Sequence, residues 1–555
     1  MPTRCRPVSF GFQGCRGRRV TAAFDGGAIT SSGGALSLRE TDRRIGLFDR
    51  VASRFTDGRD PRLTEHSVRT LVAQRITGLA LGCEDLNDHD SLRHDPLPAL
   101  LSGKLEGGRK GCAALAGKST PNRLEHAPGD GKPGRYHGIA HDPEALQALL
   151  TDLFIESWSG RPPPSRLVLD IDSTDDGVHG RQEGHAFHGY HGHHCPPPLH
   201  VFRGSHPLCA VLRPGNSDPA AGALHQLARI VDQLRRRWPG LGILVRADSA
   251  HVREEIMAWC EDNAVDHVIG VARNDRLVRG IKPELLAARV ESRGRGRPVR
   301  ILVEFEHSTR TSWSRSRRVI AKAEHLPGKP NPRFVVTSLP ESVSPRIVYE
   351  RIHRPRGNAE NAIKEQQLDL FADRTSASPP PANQLRLFFS AFASILMAAP
   401  RRALAGTGLA RATAGTLRLK LPGIGARVMV SARGVRVAMD SAHPSAPAFA
   451  RVHARLSGWK PRPSGPDSRR FPAAQGTAPP ARLAGTRQRR AHASPGRLSI
   501  PHPTMDGVII RPIIGPHATR IRQSARQPAR VRNPGYGRPD SPTLTPSGSS
   551  RTLEQ

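Results

Sequence analysis

Acidic residues are this chain's minority charge. Its 555 residues carry 49 Asp and Glu against 83 Lys and Arg, a formal net charge of +34. Such a field repels cationic partners and attracts polyanions, with DNA or RNA the usual choice. A GC-rich coding sequence, which favours Arg over Lys, inflates the excess. An anionic membrane surface is the rival partner, yet no long basic amphipathic helix is present to carry it. Cysteine is scarce as well: 7 residues, scattered and odd in number. None forms a CxxC pair or another spacing typical of zinc, so a reducing cytoplasm is the expected compartment. Long apolar runs are missing. The most apolar stretch, LFFSAFASILMAA at 387–399, has Arg386 and Arg401 close by and is shorter than the roughly 20 residues of a membrane span. It is expected to be a buried helix, and no membrane is expected as partner. The opening MPTRCRPVSFGFQGCRGRR is charged but lacks the apolar centre of a secretory signal.

The length suggests two to four domains. Residues 1–20 read as a loose basic arm and 21–160 as a mostly helical, DNA-binding region. Within it LTEHSVRTLVAQRITGLALG (63–82) has apolar residues at helical spacing, with Arg69 and Arg75 on the polar side and Thr64 at the start. From 165 the pattern becomes strands, then alternating strands and helices, as in a mixed α/β sheet running to 405. Residues 275–345 interrupt it as a β insertion. VRILVEFEH, SRRVIAKAEH and RFVVTSLP read as its antiparallel strands, with ESRGRGRPVR and TRTSWSRSRR as basic loops. A C-terminal extension covers 406–460. The tail 461–555, rich in Pro, Arg, Ser and Gly, has too few apolar residues to offset its chain entropy and is expected to be disordered.

Against the basic background, LVLDIDSTDDGVHG (167–180) gathers four carboxylates at a strand end. Strand alternation puts Val168, Asp170 and Asp172 on one face. A buried carboxylate needs compensation, and a divalent cation is the strongest available. Asp175 and Asp176 read as turn residues. GILVRADS places Asp248 at the C-terminal end of a strand, the edge where α/β sheets bind ligands, or else as a helix cap. In RGNAENAIKEQ, Arg356, Glu360 and Lys364 fall four residues apart on one helical face. One carboxylate cluster built from these segments would hold two divalent ions about 3.5–4 Å apart, clamping the attacking and leaving oxygens of a phosphodiester. Arg356 and Lys364 would bind the phosphate beside it.

The stretches EDLNDHDSLRHDP, KSTPNRLEH, LDIDSTDDGVHGRQEG, HGYHGHHC, LRPGN, RADS with REEIMAWCE, GVARN, and RGNAENAIKEQQLDLFADRTS with ANQLRLFFS occur in this order. In them the chain resembles the DDE transposases of bacterial insertion sequences, most closely the group named for insertion sequence 1380. The resemblance spans roughly residues 20–460. It implies a ribonuclease-H-like mixed sheet with a β-rich insertion before the last acid. It implies Asp172, Asp248 and Glu360 as the catalytic, metal-binding acids, with Asp170 a second-choice ligand, and Arg356 as the Arg of the Tyr-Arg-Glu-Lys helix pattern. His353 stands at that pattern's Tyr and Gln367 at its Lys, so Lys364 would serve instead. Ala250 and His251 replace the usual Gly-Phe after the Asp-Ser pair.

The implied activity is cut-and-paste DNA transposition with two Mg²⁺ ions, or Mn²⁺ in their place. The implied partners are double-stranded DNA, as terminal inverted repeats and target, and a second copy of the chain. A metal-dependent nuclease without strand transfer, or an inactive DNA-binding remnant, is the alternative. His179, His185, His188, His191, His193 and His194 with Cys195 invite a metal reading, but their irregular spacing in a Gly-rich stretch favours a structural or DNA-facing loop. Trp313 is a candidate for stacking on an unpaired base at the cleaved end, or a packed indole.

Overall fold

The computed structural model describes residues 8–133, 138–174, 197–374 and 377–458, and the backbone of 187–188 and 193–194. The expected disordered tail, the turn residues Asp175 and Asp176, and the side chains of the histidine-rich loop lie outside the described residues.

A nine-stranded sheet organises the middle of the chain. From one edge its order is His206–Val211, Leu199–Arg203, Arg166–Ser173, Gly242–Ala247, Val265–Val271, Arg333–Thr337, Arg317–Leu326 and Val299–His307, with the short Lys329–Pro330 strand beside Arg317–Leu326. Gly242–Ala247 is parallel to both neighbours, while Leu199–Arg203 runs antiparallel to Arg166–Ser173. The insertion's three long strands extend this same sheet, antiparallel throughout, instead of forming their own. One stretch read as a basic loop is helical: Lys282–Arg295 takes in ESRGR. It buries Ala288 and Ser292 and leaves its arginines in solvent.

Alternation decides the two faces. Leu167, Leu169 and Ile171 join Ile243, Val245 and Ala247 in a core covered by the amphipathic helices Ala223–Arg237 and Glu254–Asp262. The opposite face carries Val168, Leu244, Val268, Ile320 and Val335, packed under Val348 and Tyr349. Asp170 and Asp172 share that second face by parity.

A helical layer fills the other half. Val68–Leu81 starts at Ser67, whose hydroxyl accepts from the Thr70 N–H; Thr64 lies outside the helix. This helix is buried on nearly every side. It packs against the 24-residue helix Pro380–Ala403, so the two ends of the described chain share one core. Among the described residues Pro380–Ala403 alone has the length and apolar composition of a membrane span. Yet 78% of its most apolar window is buried inside the protein, and it is a core helix, as expected. Arg75 is not on a polar side. It is buried and donates to Glu125 at 2.5 Å, and Arg386 from the long helix takes the other Glu125 oxygen at 2.6 Å. Arg69, half-buried, holds Asp49 and the Ser102 carbonyl.

Part of the loose arm is a hairpin, Ser9–Cys15 with Arg18–Ala23. Arg16 and Gly17 turn it with φ of 49° and 76°. Positive φ at both central residues matches the right-handed strand twist of a two-residue turn. In the C-terminal extension, Ala426–Ser431 and Gly434–Met439 pair, and Ile29–Thr30 adds to them.

Candidate active site

Asp172 sits near the end of its strand, with the Ser173 N–H on its Oδ1 at 3.0 Å. Asp248 follows the neighbouring parallel strand directly and caps a short 3₁₀ turn, Ser249–His251, by accepting from the Ala250 N–H at 3.0 Å. That turn lies so close to the next strand that a Cβ on Gly270 would stand 3.1 Å from the Ser249 nitrogen and 3.3 Å from the Asp248 carbonyl carbon. A glycine is what this approach admits.

Glu360 arrives from far along the chain. A π-helical stretch, Ile347–His353, and a 3₁₀ turn, Arg354–Arg356, lead into the helix Gly357–Leu370. π turns inside helices are frequent at functional sites. Ala359 and Ile363 bury against Phe202, which docks this helix on the sheet. Arg356 and Glu360, one turn apart, then face Asp172. Arg356 donates to Asp172 Oδ2 at 3.1 Å through Nη1 and to Glu360 Oε1 through Nη2. Gln367, at the position of the expected Lys, reaches the Thr174 hydroxyl at 3.2 Å.

A second link joins the strand acids. The His251 ring lies 2.9 Å from Asp248 Oδ1 through Nδ1 and 3.2 Å from the Ser173 hydroxyl through Nε2. Arg213, buried, donates to the same hydroxyl at 2.9 Å.

The electrostatics follow from this crowding. Burial pushes the Asp172 carboxyl up to about 6; Asp248 and Glu360 push the same way, and Arg356 and His251 oppose. Burial also works against the Asp248 charge, but the His251 hydrogen bond, with Arg356 and the Ala250 N–H, more than offsets it and holds Asp248 below the usual range. Burial raises Asp170 despite its partner Arg246.

Asp172, Asp248, Glu360 and Arg356 therefore meet. Asp170 lies beside them, but both its oxygens accept from its cross-strand neighbour Arg246, at 2.6 and 2.8 Å. Lys364 is exposed further along the helix. Trp313 is not brought here. Half-buried, it packs on the opposite face of the sheet, edge-on to His307 at 5.6 Å with Arg317 5.8 Å from its centroid. Arg246, Arg213 and the bridging role of His251 escaped the sequence reading. A basic residue inside an apolar strand was the one signal Arg246 offered; its pairing with Asp170 comes from the strand register.

The donor set suits a hard cation: three carboxylates, no sulfur, and no described residue bonding Asp248 Oδ2 or Glu360 Oε2. Among the described residues no three acidic, His or Cys side chains are grouped so that they could hold a metal ion as they stand. Arg356 stands between Asp172 and Glu360.

Fold and site define an α/β protein with a carboxylate-centred site at the end of a mixed sheet. A family model described as "Transposase DDE domain group 1" matches residues 12–461, and the chain belongs to that family. No curated protein matches it. Among solved structures, the cryo-EM structure of a piggyBac transposase synaptic complex with hairpin DNA is similar at 13% identity, with a TM-score of 0.28, over 67% of this chain and 79% of that one. A likeness this loose adds nothing to the assignment.

Proposed function

We propose that this chain is the transposase of an insertion sequence of the group named for insertion sequence 1380, and that it cuts and joins DNA at a site built from Asp172, Asp248 and Glu360. The observation that carries the reading is Arg356 holding both Asp172 and Glu360, with His251 and Ser173 tying Asp248 to the Asp172 strand. Three acids from distant segments converge at one sheet edge. The order of the first five strands, with one antiparallel member, supports a ribonuclease-H-like core.

Asp172, Asp248 and Glu360 would hold two Mg²⁺ ions, or Mn²⁺. Asp170 serves as the counter-ion of Arg246 in this reading. Bound there, the ions would supply Lewis-acid stabilisation of the attacking and leaving oxygens of an in-line displacement. Asp248, held ionised by His251, presents a ready anionic ligand. Arg356, released from its carboxylates, offers a planar fork to the phosphate. A cleft of about 310 Å³ beside Glu360 is lined by Arg354 and Arg356 and by Arg300 and Lys322, which pair with Glu324; phosphates would have to compete with these carboxylates for the cations. Water would be the nucleophile for end cleavage and the freed 3′-hydroxyl for joining. Pairing two ends requires at least two copies.

The test is a labelled duplex carrying the element's terminal repeat, incubated with Mg²⁺ and target DNA. Wild type should cut and join, and Asp248→Ala and Glu360→Ala should do neither. Wild-type cleavage by either variant sinks the triad. Cutting without joining makes the protein a nuclease, and repeat binding without cutting makes it a remnant.

A further inference from the structure

His251 occupies a position where the resembling transposases usually have an apolar residue. It is completely buried, on the turn that begins with Asp248. A buried imidazole with a free polar nitrogen would cost stability. Neither nitrogen is free. Nδ1–H donates to Asp248 Oδ1 at 2.9 Å, and Nε2 faces the Ser173 hydroxyl at 3.2 Å. That hydroxyl accepts from Arg213 at 2.9 Å and turns its single proton toward Nε2, with the Pro219 carbonyl 3.0 Å away as its other contact. Arg213 is anchored in turn on the carbonyls of Pro197, Asp218, Pro219 and Ala221.

A chain of contacts therefore runs from the buried Arg213 through Ser173 and His251 to Asp248. It orients one carboxylate oxygen inward and leaves Oδ2 without a donor among the described residues. Groups that hydrogen-bond a metal ligand fix its direction and raise its affinity. We propose that His251 is a positioning residue that aims Asp248 at a divalent cation and couples it to the strand carrying Asp172. The inference rests on the triad reading. It differs from the simpler view that His251 only fills space, because it assigns the effect to one nitrogen.

Asn places its amide N–H near the site of Nδ1, whereas Gln reaches only toward that of Nε2. The full chain and its His251→Asn, His251→Gln and His251→Phe variants would be titrated with MnCl₂ in a calorimeter, and terminal-repeat cleavage followed against Mg²⁺ concentration. His251→Asn should stay within about threefold of wild type, while His251→Gln and His251→Phe should bind Mn²⁺ about 10–100-fold more weakly and need correspondingly more Mg²⁺. Should His251→Phe fail to fold by circular dichroism, the Asn and Gln pair decides. Wild-type behaviour of His251→Gln, or equal losses in the Asn and Gln variants, overturns the inference. If wild type binds Mn²⁺ in the expected order but cuts nothing, the transposase reading fails and the positioning role stands. If wild type binds no Mn²⁺, both fall.

Discussion

Two charge clusters in this molecule are near mirror images. In the helical layer one carboxylate, Glu125, lies between two arginines, Arg75 and Arg386. At the sheet edge one arginine, Arg356, lies between two carboxylates, Asp172 and Glu360. The first is sealed: Glu125 is 0% exposed and Arg75 4%. Burial works against Glu125's charge, yet Arg75 and Arg386 together hold its carboxyl below the usual range. The second is open, with the Glu360 side chain 42% exposed. Its surplus is negative, Asp248 adds to it, and burial with that crowding lifts Asp172 to about 6. The sealed cluster is complete as it stands, and the open one has excess negative charge that a cation would relieve. In a chain of +34, a local negative surplus sets this sheet edge apart more clearly than any charge count.

The largest effect expected is on chemistry. Asp172→Ala should lower Mg²⁺-dependent end cleavage by about three orders of magnitude or more, ~4 kcal/mol of barrier, while circular dichroism shows an intact fold. Comparable cleavage by that variant would make the open cluster structural and break the contrast. Glu125→Gln should do the reverse. Removing one partner from a buried ion cluster costs about 3–5 kcal/mol, read as a lower urea midpoint, and the protein that remains folded should cut normally.

Arg356→Lys keeps the charge but loses the fork. Cleavage should fall about tenfold, with the melting temperature nearly unchanged. The pH dependence separates the clusters by sign. Asp172 binds its proton more tightly in the folded chain, so its contribution to stability is full below about pH 4 and is lost as pH rises through about 6. Glu125, shifted downward, contributes at neutral pH and loses that contribution as pH falls through its lowered value. Melting curves with EDTA from pH 3 to 8 should lose the first limb in Asp172→Asn and the second in Glu125→Gln. The smallest effect belongs to exposed Lys364. Lys364→Ala should leave stability within about 0.5 kcal/mol and reduce the salt slope of DNA binding by about 1.

Much of the candidate site's arrangement was legible. Asp172 and Asp248 stand out because acids at the ends of apolar strands conflict with burial, and Arg356 and Glu360 because their spacing equals one helical turn. Partners across the sheet were not legible. That Arg246 faces Asp170 depends on strand register, which no local pattern encodes. Arg75 was misplaced on a polar face because its helix is covered from several directions, so a basic residue there signals a buried partner and not solvent. The helix through ESRGR was missed because its exposed arginines and glycine resemble a loop. The Arg16–Gly17 turn was hidden for a similar reason, in a basic stretch with no buried side to reveal strand alternation.

The helix Pro380–Ala403 has a consequence for synthesis. Leu71, Ile76 and the other core residues of the N-terminal helices leave the ribosome long before the helix that covers them. Until Pro380–Ala403 follows, these helices expose apolar surface that invites aggregation. A chain cut short before Pro380 would retain Asp172, Asp248 and Glu360 in sequence yet lack the helix that closes its N-terminal half. Expression of a chain ending before Pro380 should therefore yield insoluble protein, read as its loss from the soluble fraction.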